Sequence, residues 1–231
     1  MADTQVVVPN GMVIAAGTTA IAPILLTAGT DLTNAAAGAV EYDGKVLHFT
    51  PNTSNRAVSK SVHYGNLAAA QTGQNVNTVQ PWLVGAPFTA GNITLPAGTL
   101  YKFEGELILS RTAGTTSHTT GILFGGTATI TSIAYTTDVN TNNTSLATLA
   151  AATTNRVGVA TLNTLTAANT SATEQIQIRV KGTVRINAGG TFIPQFQYSA
   201  APGGAPTIGI GTFFELIPLG ANTDVSAGNW A

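Results

Sequence analysis

The sequence predicts an all-β protein: a jelly-roll β-sandwich over residues 99–231, reached through an extended arm over 1–36 and a small β-hairpin with connecting segment over 37–98. Three observations predict it. Long stretches alternate apolar and polar residues with the period of two that turns one strand face inward. The 25 glycines and 10 prolines cut the chain into short segments, the punctuation of strands and turns. Helix signals are scarce: "TSLATLAAATTNRVGVATLNTLTAANTSAT" (Thr144 to Thr173) sets Leu146 and Leu149 at helical spacing, but Thr and Asn interrupt it, so no more than a helical turn is expected there.

Taken in order, the arm comes first. No charge lies between Asp3 and Asp31. A membrane-spanning helix needs about 20 predominantly apolar residues, and "GMVIAAGTTAIAPILLTAGT" is broken by Gly17, Thr18, Thr19, Pro23 and Gly29. A secretory leader needs a basic start, whereas the first basic residue is Lys45. The arm is therefore expected to be extended and to bury itself against protein. "GAVEYDGKVLHFT" (Gly38 to Thr50) follows, an Asp-Gly turn signal between two alternating arms, which reads as a hairpin.

Strands dominate the second half. "LYKFEGELILSR" sets Tyr101, Phe103, Leu107 and Leu109 against Lys102, Glu104 and Glu106. "GILFGGTATITSIAYTTDV" reads as one or two strands. "EQIQIRVKGTVRIN" puts Ile176, Ile178, Val180, Val184 and Ile186 on one face and Arg179, Lys181 and Arg185 on the other. After the "NAGG" turn, "TFIPQFQYS" alternates Phe192, Phe196 and Tyr198 with Ile193, Gln195 and Gln197; Pro194 predicts an edge strand or a bulge. "TFFELIPLG" closes the set, and six to eight strands between Leu100 and Gly220 fit a jelly roll.

Composition narrows the function. Charged residues make up 8% of the chain, against about 25% in ordinary soluble domains. A surface so poor in charge has little repulsion to keep copies apart, which predicts a chain that lives assembled. A net charge of −1 argues against nucleic acid as a partner. The absence of cysteine excludes thiolate metal sites, disulfides and a cysteine nucleophile.

The candidate chemical motifs fall short one by one. His48, His63 and His118 occur in no metal-ligand spacing. Ser117, His118 and Asp138 lack the constrained turn and oriented base of a triad. "DVNTNN" (Asp138 to Asn143) begins like a calcium loop but has Asn143 where Gly is needed and Leu149 where Glu is needed, so it reads as an Asx-rich turn. "TIGIG" (Thr207 to Gly211) lacks the third glycine of a phosphate loop and reads as a close-packed strand or a bulge. Glu104 and Glu106 alternate with core residues and read as a solvated strand face. No enzyme activity, cofactor or metal is expected.

The run "AGTTAIAPILLTAGTDLTNAAAGAVEYDGKVLHFT" with the later "NRAVSK" resembles the N-terminal pattern of phage and prophage virion proteins, tail fibres and head decorations among them. Pro23, Leu25, Gly29, Thr30, Leu32, Gly38, Glu41, Tyr42, Asp43, Gly44, Leu47, Phe49 and Arg56 carry it, with His48 where an aromatic is more usual. "VKGTVRINAGGTFIPQFQYSAAPGG" and "GTFFELIPLG" are similar to the distal domain of such proteins, which resembles the trimeric tumour-necrosis-factor-like jelly roll.

The resemblance implies a homotrimeric capsid decoration (cement) protein, made in the host cytoplasm and carried on the outer surface of a phage head. Its partners would be its own copies and the major capsid protein, with no nucleic acid and no membrane. The expected contacts with capsid or sister subunits are Ile14, Ile21, Pro23, Ile24, Leu25 and Leu26 of the arm, Tyr42, Asp43 and Gly44 of the hairpin, and the stripe Arg179, Lys181 and Arg185. The alternative is a short tail fibre or receptor-binding tip for a surface glycan, with Trp82, Tyr135 and Trp230 as its aromatic candidates.

Overall fold

The computed structural model describes Ile14 and residues 16–52, 56–88, 90–144 and 151–224, with only the backbone of 151 and 152. Sixteen strands and no helix occur among the described residues. They are β1 (Val40–Tyr42), β2 (Leu47–Phe49), β3 (Ala57–Val58), β4 (His63–Asn66), β5 (Gln71–Thr72), β6 (Gln80–Pro81), β7 (Ile93–Leu95) and β8 (Thr99–Ser110). There follow β9 (Thr120–Gly125), β10 (Ile130–Asn142), β11 (Ala151–Val157), β12 (Asn163–Thr164), β13 (Gln175–Ile186), β14 (Gly190–Tyr198), β15 (Thr207–Ile208) and β16 (Phe213–Ala221). All pairings are antiparallel, and the protein is an all-β sandwich preceded in the chain by a small separate sheet, β1-β2-β3.

The larger sheet runs β11-β10-β13-β8. The far edge of β8 is shared end to end: β15 pairs at Leu109 and Ser110, and β16 from Glu106 back to Thr99. Beyond these lie β5 and β4. The second sheet runs β12-β9-β14, and β7 and β6 divide the outer edge of β14 between them.

Alternation in sequence becomes alternation in burial. Along β8, Tyr101, Phe103, Leu107 and Leu109 are buried while Lys102 and Glu104 are exposed. On β13, Ile176, Ile178, Val180, Val184 and Ile186 are buried. The core they build is joined across the two layers by aromatic rings. Phe124 of the second sheet lies 5.3 Å from Phe103 and 5.2 Å from Tyr135 of the first, ring centre to ring centre, and 5.4 Å from Phe192 beside it. Edge-on and offset contacts at such distances add to the area term. Gly105 makes room for this cluster, because a Cβ there would lie 2.6 Å from the Phe214 ring.

Three expectations change. Pro194 sits on an interior strand, not an edge: it is opposite Phe124 on one side and, on the other, falls in the gap between β7 (paired to residues 190–192) and β6 (paired to 195–196). A missing N–H costs nothing where no partner strand needs it. The sandwich also begins before residue 99, since β4, β5, β6 and β7 all hydrogen-bond into its sheets. And residues 151–157 form a strand, while Leu146 and Leu149 lie outside the described residues.

Candidate interaction surface: the arm and its anchor

The predicted hairpin forms, with Val40 opposite Phe49 and Tyr42 opposite Leu47. Asp43 and Gly44 make its turn for separate reasons. The Asp43 Oδ1 accepts the amides of Lys45 and Val46, each at 2.7 Å, and Gly44 adopts φ of 87°, a backbone that L residues with side chains avoid. Burial disfavours the Asp43 charge, but the Val46 and Lys45 amides and the nearby His48 and Lys45 outweigh it and hold the carboxyl below its ordinary value.

The arm meets the hairpin at its last residues. Gly29 donates its amide to the Tyr42 carbonyl at 3.0 Å. Leu32 is gripped twice: its amide donates to Glu41 Oε1 at 2.6 Å, and its carbonyl accepts from Arg56 at 2.6 Å. Arg56 in turn donates to both Glu41 oxygens, at 2.9 and 3.1 Å. The Arg56 hydrogen bonds, then the Leu32 amide, lower the Glu41 carboxyl below its ordinary value. Glu41, Leu32 and Arg56 thus form a polar clasp at the arm's exit.

Upstream of the clasp the arm is bare. Exposure is 69% at Ile21, 58% at Ile24 and 85% at Leu25. Ile14, Pro23 and Leu26 are exposed as well. Tyr42, Asp43 and Gly44 are half-buried.

The basic stripe is not a positive patch. Arg179 donates to Glu106 at 3.0 Å and stands opposite Asp138 on its other side. Lys181 stands opposite Glu104, and Arg185 contacts the Thr223 carbonyl and Asp224. On this outer sheet face the cations alternate with carboxylates, so it offers no net field to an acidic partner. Glu106 is spent in this lattice, and Glu104 is exposed on the same face.

The remaining candidates also find places. His118 is buried and pairs with Glu174 at 2.9 Å, not with Asp138, while Ser117 is exposed. Asp138 to Asn142 belong to β10, and the Asn142 side chain accepts the Thr144 amide at the strand end. Of the stretch Thr207 to Gly211 only Thr207 and Ile208 form a strand; Gly209 packs on Ile108 just beyond its end, and Gly211 turns with φ of 87°. Trp82 and Tyr135 are 0% and 2% exposed, core residues that cannot face a glycan; Trp230 lies outside the described residues.

One arrangement has no counterpart in the sequence reading. At one end of the sandwich Glu174, 2% exposed, accepts from Arg111, His118 and Asn169. Arg111 also donates to the carbonyls of Ala113, Ser171 and Pro202, and the His118 Nδ1 faces the Thr116 carbonyl at 2.8 Å. Three loops are pinned together by this buried ionic group. Burial and the Glu174 charge push the adjacent Tyr198 hydroxyl up. A separate cavity of about 150 Å³ beside β4 is lined by apolar groups such as Leu83, Phe88 and Phe214 and holds no carboxylate.

The chain matches no protein-family profile and no curated protein sequence. Among solved structures it is similar to the structure of infectious bursal disease virus Gx strain, at 12% identity and a TM-score of 0.18. The match covers 86% of this chain and 50% of that one, so the chain spans about half the length of the structure it resembles. So loose an overlap carries no weight for fold or role. No helix among the described residues is long and apolar enough to cross a membrane.

Proposed function

We propose that the chain is a non-enzymatic virion structural protein: a homotrimeric decoration protein that cements a phage head by laying its arm on capsid subunits. The observation that carries this reading is the exposed apolar run from Ile21 to Leu26, fastened at its C-terminal end by the Glu41–Arg56 clasp. A clasped but naked segment is suited to docking on another surface. Burying roughly 500 Å² of its apolar area at about 25 cal/mol/Å² gives a gross ~12 kcal/mol per copy. Ordering and immobilisation offset much of that, and three linked arms make release slow. The strand order supports a jelly roll. The series β4-β16-β8-β13 faces β6/β7-β14-β9-β12, and the chain crosses between layers at most connections, with β10 and β11 as an added hairpin.

The test deletes residues 2–36 and offers the truncated protein to bare capsids of the virus that carries the gene. Loss of binding with an intact sandwich is expected; undiminished binding overturns the tether. Sedimentation should give three times the 23.4 kDa chain mass, and a monomer at capsid-binding concentrations refutes the trimer.

A further inference from the structure

The three-stranded sheet has almost no core of its own. Val46 is its one buried hydrophobic residue among those described between 40 and 58, and it stands apart from the main core. Small units of this kind hold together through added staples, metal ions among them. The arm and hairpin place a fitting set of atoms there. Asp31 from the arm, Asp43 from the turn and His48 from β2 each offer one ligand atom, all within 4.8 Å of one another.

We propose that Asp31, Asp43 and His48 bind one divalent first-row cation, with Zn²⁺ the best fit, and that this ion ties the arm to the hairpin. His48 carries the case. It is 8% exposed, and its buried Nδ1 has no hydrogen-bond partner. Its Nε2 points between the two carboxylates, 3.6 Å from Asp31 Oδ2 and 3.7 Å from Asp43 Oδ2. A charge-assisted N–H···O bond would close to about 2.7–2.9 Å. Tetrahedral bonds of about 2.0–2.2 Å instead set neighbouring ligand atoms ~3.4 Å apart, close to the spacing found. Asp31 Oδ1 is a second buried polar atom without a hydrogen bond.

The surroundings agree. The Lys45 and Val46 amides occupy Asp43 Oδ1 and leave Oδ2 for a ligand. Arg56 lies 3.9 Å from Asp31 Oδ2, but its charge is countered by Glu41 at 2.9 Å. Two carboxylates and a neutral imidazole balance a dication, and an N/O donor set suits Zn²⁺ over Mg²⁺ or Ca²⁺. The side chains of Asp31 and Asp43 are 27% and 25% exposed, which leaves an entry path and room for water as a fourth ligand.

The experiment uses the full untagged chain, stripped with chelator and titrated with Zn²⁺ by calorimetry at pH 7.5. One saturable equivalent per chain is expected. D31N and H48N should each weaken binding by more than about 100-fold, the upper range for losing an outer-shell partner, while H63Q, at an exposed histidine, binds as the parent. Circular dichroism of each variant confirms that the sandwich, whose core is separate, stays folded. Absence of a 1:1 site, retention of affinity in D31N and H48N, or equal loss in H63Q overturns the proposal.

Discussion

Glutamine at position 174 should destabilise the sandwich severely. Glu174 Oε2 accepts from Arg111 Nε and Nη2 at 3.3 and 3.2 Å and from His118 Nε2 at 2.9 Å. Its side chain and that of Arg111 are 2% and 1% exposed. E174Q removes the one anion and leaves the guanidinium in a nearly dry site, its charge met only by carbonyl dipoles. Breaking a buried pair from one side costs about 3–5 kcal/mol. For a chain of this size each kcal/mol lowers Tm by about 2–4 °C, so a fall on the order of 6–20 °C is expected. Thermal and urea unfolding followed by circular dichroism measure it. The triple replacement R111M/H118L/E174L, which removes every charge together, should recover part of the loss. If E174Q unfolds within about 1 kcal/mol of the parent, the ionic group is not what pins these loops.

Three further outcomes follow from the geometry. F124A empties the junction between the layers and should cost about 3–5 kcal/mol by chemical denaturation. G182A should cost about 1–3 kcal/mol by the same measurement, because a Cβ there would sit 2.3 Å from the Ala134 carbonyl oxygen and 2.5 Å from the Tyr135 Cβ. Glu41 is held below its ordinary value, so the clasp is complete above the unfolded carboxylate range of about 4 and is lost as pH falls through the lowered value. Hydrogen exchange at the Leu32 amide, whose acceptor is Glu41, should lose protection below about pH 4; unchanged protection there refutes the clasp.

Legibility in the sequence followed length and locality. β8 and β13 have twelve residues each, long enough for alternation to declare both the strand and its buried face. The hairpin was legible because Asp43 and Gly44 act on their immediate neighbours. β4 to β7 have two to four residues each, too few for any period to show, so residues 63–98 read as a connector. Pro194 misled because the rule concerns a missing donor, and only the tertiary arrangement reveals that no acceptor waits for it. The ionic group was invisible: Arg111, His118 and Glu174 share no spacing, with 63 and 56 residues separating Glu174 from its partners. Asp31, Asp43 and His48 were hidden likewise, since the arm must fold back before they meet.

β11 ends the larger sheet, and among the described residues nothing pairs with its outer rim. From Ala151 to Val157 that rim faces no described strand, with Arg156 its one charge and no proline in it. Such a rim invites another strand to zip alongside it. Concentrated preparations should therefore grow ribbons or gels unless a neighbour caps it, and one lysine placed at Thr154 should keep them clear.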